Sequence, residues 1–331
     1  MSGAPDLQEI AFDPDGIEAL LPRVPARAGV AQLLDEERES LLIAQPASLR
    51  RWVAAQLGLA PPPRKPARRP RVDLRPVVRA LRFRTTFFAF EQRLAYERLM
   101  AAHVPLAKRR DLRVPGWLRL DLDARFPRIE AVGLAGEATA LFGPFRDRKA
   151  AARARDLLHR EAPLRPCDYA FEPDPALPLG LGCLYAQMRS CAAPCLARVS
   201  PDEYHALART TRDRLAADEE LPLPAWRPAW LSRAIGDRAL IAERGRKGIA
   251  LFPVRDGVVL DEACAVVPLE LTDDAVAALS WPAPPPGRND WPWLSAWLPA
   301  PRRKGVWIAV RQAETASALA ERLRNALGEG G

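Results

Sequence analysis

No stretch of this chain is apolar for long enough to span a bilayer, which takes about 20 residues. The opening residues, MSGAPDLQEIAFDPDG, are acidic and carry no apolar leader, so a cytoplasmic protein with no membrane partner is expected. Histidine is scarce, and His103, His159 and His205 stand isolated. No HExxH pair, P-loop, GxSxG elbow or paired-carboxylate pattern occurs, which removes the usual signatures of zinc proteases, nucleotide hydrolases and serine esterases. There is no internal repeat either, so a solenoid is excluded.

What is present suits a globular protein of about two domains. Of 331 residues, 48% are hydrophobic and 27% charged, enough to bury a sizeable core. Lys and Arg exceed Asp and Glu by 49 to 41, a net charge of +8, and nearly all the positive charge is arginine. Guanidinium forks pair bidentately with phosphate, so a nucleic-acid partner fits. The Ala-, Arg- and Pro-rich usage of GC-rich genomes gives the same composition, and both readings stay open here.

Read along the chain, residues 1–15 look like a loose tail. GVAQLLD and ESLLIAQ predict two short strands around the charged turn Glu36-Glu37-Arg38. SLRRWVAAQ, 48–56, predicts a helix with Ser48 as its N-cap. Residues 60–76 hold six prolines and six basic residues, which predicts an extended basic loop. Helical spacing follows over Leu74–Leu81 and again over Phe87–His103. Strand-like alternation covers 117–143, a basic helix Asp147–Arg160, and a further helix Pro201–Leu215. A Pro/Trp-rich linker, 221–231, precedes a module with strands in RALIAERG, GIALFPVRDG, VVLDEACAVV and GVWIAV and a closing helix, ETASALAERLRNAL. The fold class expected is α+β.

Four of the five cysteines, Cys167, Cys183, Cys191 and Cys195, fall within 29 residues, while Cys264 stands apart as a small hydrophobe. In a chain without a secretory signal such clustering argues for metal ligation rather than disulfides. Four thiolates can hold either tetrahedral Zn²⁺ or an iron–sulfur cluster. The spacing, Cys167-x15-Cys183-x7-Cys191-x3-Cys195, contains no CxxC knuckle and no intervening histidine, which suits a bulkier cluster. The bland alternative is four unrelated buried thiols.

The block around these cysteines resembles the UvrC/Cho family of bacterial excision-repair nucleases. Gly143-Pro144-Phe145 leads into the basic helix, Cys167 follows, and then Cys183-Leu184, Cys191, Pro194-Cys195 and Glu203-Tyr204 stand in the family's order. The resemblance implies a [4Fe–4S] cluster on the four cysteines. It also implies three regions: a GIY-YIG nuclease-like domain over 16–110, a connecting and four-cysteine domain over 111–220, and a C-terminal α+β module over 232–331 that is weakly Cho-like.

Active GIY-YIG sites use tyrosines and a lysine around the attacking water, an arginine on the phosphate and a glutamate on the metal. Aligned residue by residue, the chain has Ala31 at the first tyrosine, Leu42 at the second, Gln45 at the lysine and Trp52 at the arginine. Glu97 is the one catalytic candidate left, as a ligand for Mg²⁺ if any nuclease activity survives. The expectation is a pseudo-nuclease fold.

Candidate phosphate contacts are Arg50, Arg51, Arg64, Lys65, Arg68, Arg69, Lys108, Arg109, Arg110, Arg146, Arg148 and Lys149, with Arg71, Arg153 and Arg155 beside them. The tryptophans Trp117, Trp226, Trp230, Trp291 and Trp293 are read as core or partner contacts before base-stacking groups. The leading functional expectation is an iron–sulfur protein that binds damaged or branched DNA without cleaving it, with a repair protein as a further candidate partner. An active divergent endonuclease and a protein-interaction scaffold are the alternatives.

Overall fold

A strand stands where the sequence predicts a loose tail. The computed structural model describes residues 6–13, 16–59, 73–105, 108–109, 115–133, 140–145, 147–177, 183–216, 232–233, 238–298, 300, 304–311 and 313–328. Contacts divide the chain into two units: 1–110 with 243–250 and 266–271, and 111–242 with 251–265 and 272–331.

The first unit contains β1 (Gln8–Ala11), α1 (Ile17–Leu20), β2 (Gly29–Leu34), β3 (Ser40–Ala44), α2 (Leu49–Gln56), β4 (Ala80–Thr85) and α3 (Ala89–His103). Its strands form one antiparallel sheet in the order β1-β4-β2-β3. β2 and β3 are the predicted hairpin, closed where Asp35 accepts from the Glu39 N–H through its side chain and Arg38 takes a positive φ of 65°. The α2 helix begins where expected, with the Ser48 hydroxyl accepting from Arg51 N–H. Between 74 and 81 the predicted helix is not formed. A turn held by Asp73 and Arg75 leads instead into β4, because Pro76 withholds an N–H and Val77-Val78 favour extended backbone.

Ala31 and Leu33 of β2 pack with Leu81 and Phe83 of β4 against Ile17, Leu20, Leu49, Val53 and Leu57. Val30, Gln32 and Leu34 alternate with these and are equally buried, so both faces of the central strand are covered. The α3 helix packs on β2 and β3 and buries Phe90, Leu94, Ala95 and Leu99. Its Gln92 amide donates to the carbonyls of Gly29 and Pro46 at 2.7 and 2.8 Å, tying the base of the hairpin to the helix. The buried Glu243 carboxylate accepts from the N–H groups of Ala89 and Phe90 at 2.9 and 2.6 Å, an anion on the positive end of α3.

The second unit contains β5 (Gly116–Leu120), β6 (Ile129–Val132), β7 (Ala140–Phe145), α4 (Arg148–Glu161), α5 (Leu184–Gln187), α6 (Pro201–Ala216) and β8 (Ser232–Arg233). The antiparallel sheet β6-β5-β7-β8 packs Leu118, Leu120, Ile129 and Phe142 against Ala151, Ala154 and Leu158 of α4 and Tyr204, Ala208 and Leu215 of α6. A helix with small residues at this spacing can lie close on a sheet and leave its arginines outward. The chain continues through β9 (Arg238–Arg244), β10 (Ile249–Arg255), β11 (Val258–Val259), β12 (Ala265–Val267), α7 (Asp273–Ala277), α8 (Trp291–Trp297), β13 (Val306–Ala309) and α9 (Ala316–Leu327). β11, β10, β9 and β13 form a sheet, with β12 on β10. The protein is α+β with small antiparallel sheets, as its sequence implies.

Trp117, Trp291 and Trp293 are core residues: Trp117 and Trp291 meet edge to face at 5.3 Å, and Trp293 donates to Asp290. Trp226 and Trp230 lie outside the described residues. The turn beside this cluster depends on Gly257, whose φ of 73° is left-handed and whose added Cβ would fall 2.0 Å from Trp291 Nε1. Gly257→Ala should therefore destabilise by about 2–4 kcal/mol in a urea melt, joining left-handed strain to overpacking. A loss under about 0.5 kcal/mol would show that the tryptophans yield freely.

Candidate metal centre

Cys167 lies in the extended segment that leaves α4, and Cys183 caps the single turn α5. Cys191 precedes, and Cys195 lies within, a tight 3-10 turn, Pro194–Leu196, entered and left through Ala193 and Ala197 at φ 55° and 52°. Two alanines in the left-handed region cost about 1–2 kcal/mol each. Pro194 pre-sets the first residue of the turn, so the proline of the motif has a structural reason.

The Glu-Tyr pair after the last cysteine holds the surroundings. Glu203 accepts from the Ser200 N–H and hydroxyl while Ser200 accepts from Glu203 N–H, a reciprocal cap that starts α6 five residues beyond Cys195. Tyr204 is wholly buried; its hydroxyl accepts from Arg165 N–H at 2.6 Å and donates to Pro127 O at 3.1 Å. Burial pushes this phenol well above its ordinary pKa, so it stays protonated as a donor. It thereby pins the backbone two residues before Cys167. The Arg165 side chain donates to the carbonyls of Phe126 and Tyr169 and lies 5.2 Å over the Phe171 ring. Ala192 N–H to Pro163 O, and Asp174 N–H to Cys195 O, close the remaining sides. The sequence does not single out Arg165; a basic residue two before the first cysteine of the cluster is the available signal.

The four thiols line one cavity of about 390 Å³, walled otherwise by Phe171, Ala193, Pro194 and Leu196. All five cysteines of the chain are free thiols. Burial, with neighbouring thiols adding to it, pushes the Cys191 thiol up to about 11, against a hydrogen bond from Ala193 N–H to its sulfur. Cys195 is raised in the same way. A cation beside these two thiols would favour their thiolate forms. Among the described residues, no three His, Cys, Asp or Glu side chains are drawn together to hold a metal ion as they stand. Cys264 is elsewhere, its thiol directed at Leu260 O.

In the first unit, Ala31 is buried opposite Ala44, Leu42 pairs with Leu33, Gln45 follows β3 half-buried, and Trp52 packs on the core from α2. Glu97 is not presented to solvent. Its carboxylate lies 2.5 Å from the guanidinium of Arg93 and 2.5 Å from that of Arg109, with side chains 1% and 3% exposed in the Arg109 pair. Arg109, expected to contact phosphate, turns inward to this carboxylate and so is not offered to a ligand. Arg50, Arg51, Lys108, Arg148 and Lys149 are exposed, though Arg50 also donates to Val24 O. Arg64, Lys65, Arg68, Arg69, Arg110 and Arg146 lie outside the described residues.

The four cysteines line a cavity in a unit built from a four-stranded sheet with α4 and α6. Residues 116–214 match the family described as UvrC/Cho excinuclease, middle domain, and through this segment the chain is similar to UvrC-family proteins. Similar curated proteins are the UvrABC system protein C of Sphingopyxis alaskensis, 30% identical over 215 residues (64% of this chain, 31% of the relative), and that of Gluconobacter oxydans, 27% identical over 205 residues (61% and 31%). The UvrABC system protein C of Streptomyces griseus is 32% identical over 110 residues (33% and 15%). The chain thus spans about a third of the length of the first two relatives. No solved structure matches. Among the described residues, no helix is long and apolar enough to cross a membrane.

Proposed function

We propose that this protein is a DNA-binding iron–sulfur member of the UvrC/Cho family that acts in DNA repair or processing without hydrolysing DNA itself. The observation that carries the reading is the cavity into which Cys167, Cys183, Cys191 and Cys195 all open, inside the segment that matches the family. Tetrahedral zinc would need four sulfurs about 2.3 Å from a single point. A [4Fe–4S] cluster is a body rather than a point, and it fits donors that ring a cavity without converging. When bound, such a cluster supplies cross-linking of the four segments and one-electron chemistry. The chain's own contribution is to exclude water with Phe171, Leu196 and Pro194 and to hold the Cys167 backbone through Tyr204.

The first unit supports the non-hydrolytic half of the reading. Hydrolysing a phosphodiester needs an activated water, a cation on the developing charge and a metal on a carboxylate. Ala31, Leu42 and Trp52 cannot move a proton or supply a cation, and Glu97 would have to leave two guanidiniums to take Mg²⁺. Supercoiled or lesion-bearing DNA incubated with Mg²⁺ or Mn²⁺ should show no nicking above background. Nicking by wild type that vanishes in Glu97→Gln would make the protein a divergent endonuclease.

A further inference from the structure

Beside the cysteine cavity lies a second depression of about 580 Å³, and Cys167, Tyr169 and Tyr185 stand in the wall of both. It is lined by β6 and rimmed by Arg119, Arg128, Arg148 and Arg155, with Glu130 and Asp168 as its carboxylates. Glu130 pairs with Arg119 and Arg128 together, so one carboxylate holds two guanidiniums at the edge. Arg148 donates its Nε to Ala131 O at 3.0 Å, and among the described residues no carboxylate pairs with it. Arg155 pairs with Asp156, which is 64% exposed, a kind of contact that is easily exchanged for another anion.

The same depression carries two tyrosines that the core does not use: Tyr169, 74% exposed, and Tyr185, 42% exposed. A charged groove alone would suit any polyanion. Flat, solvent-facing rings among guanidiniums add a preference, because bases stack on such rings only when they are not paired. The guanidiniums meanwhile meet phosphates that repeat along the strand.

We infer that this groove holds an unpaired stretch of nucleic acid, its phosphates on Arg148 and Arg155 and its bases against Tyr169 and Tyr185. This rests on the DNA-binding reading above and names the strand form and the place. It puts the strand against the wall that carries Cys167.

The test measures binding of the full chain, purified anaerobically, to labelled oligothymidylate and to a fully paired duplex. Tyr169→Ala should weaken oligothymidylate binding by about fivefold to a hundredfold and leave the duplex little changed, and Tyr169→Phe should restore it. Arg155→Glu should weaken binding and flatten its salt dependence. Iron content and thermal midpoint must match wild type in each variant. Unchanged oligothymidylate binding in both variants overturns the groove while duplex binding keeps the general reading. Equal loss on both probes by Tyr169→Ala overturns the choice of an unpaired strand. A wild type that binds neither probe, or binds polyglutamate in their place, overturns both.

Discussion

Cys191→Ser should strip the centre of iron and melt the segment around it. Wild type purified without oxygen should be brown, with about four irons per chain. The variant should keep less than one and lose several kcal/mol of stability, because a site whose metal organises its own loops cannot drop a ligand cheaply. Cys191 is the most buried of the four, and three separate segments meet through its cavity. Without the cluster, the left-handed Ala193 and Ala197 keep their strain and lose what holds it. Cys264→Ser is the control and should leave the iron in place. Stoichiometric zinc in wild type, or full iron in Cys191→Ser, would sink the cofactor assignment.

Glu97→Ala should cost about 3–5 kcal/mol, a large fraction of the stability of an ordinary domain. The carboxylate pairs with two guanidiniums, and removing it takes from the buried Arg109 the carboxylate 2.5 Å away. Arg93 is a quarter exposed and can swing outward, so Arg109 dominates the loss. Replacing both members, Glu97→Leu with Arg109→Leu, should recover most of it, since apolar groups of similar volume tolerate such a place. A denaturant melt of the three variants decides. If Glu97→Ala loses less than about 1 kcal/mol, the carboxylate is not structural and its availability to Mg²⁺ has to be reconsidered. The size of the expected loss is also why the conservative Glu97→Gln belongs in the nicking assay.

Periodicity and capping made most of the elements legible. Ser48 and Asp147 both cap the helices that the sequence starts at them, and the Glu36–Arg38 turn sits between the strands it was read to separate. The strand β1 escaped because QEIA has one inward residue, Ile10, too little for a pattern to register. The segment 74–81 misled because leucines and valines spaced for a helix also fit the entry to an edge-proximal strand. The four cysteines could be grouped from their spacing alone, and they line one cavity. Charge was a poorer guide. Adjacent basic residues read alike in sequence, yet Lys108 points to solvent and Arg109 into the core. The groove arginines 119, 128, 148 and 155 come from two elements, β5 and α4, and a loop, and no local pattern announces them.

The Glu243 cap on α3 sets a schedule for synthesis. The unit that begins at the amino end also requires 243–250 and 266–271, where Gly245 runs so close to Phe88 that an added Cβ would touch its ring at 2.6 Å. A nascent chain presents the ribosome's exit with residues 1–110 long before these segments exist. Through that interval Phe88 lacks Gly245 beside its ring, and the N–H groups of Ala89 and Phe90 lack the Glu243 carboxylate. The first part made is among the last to be finished, since the final segment of its unit follows some 160 residues later.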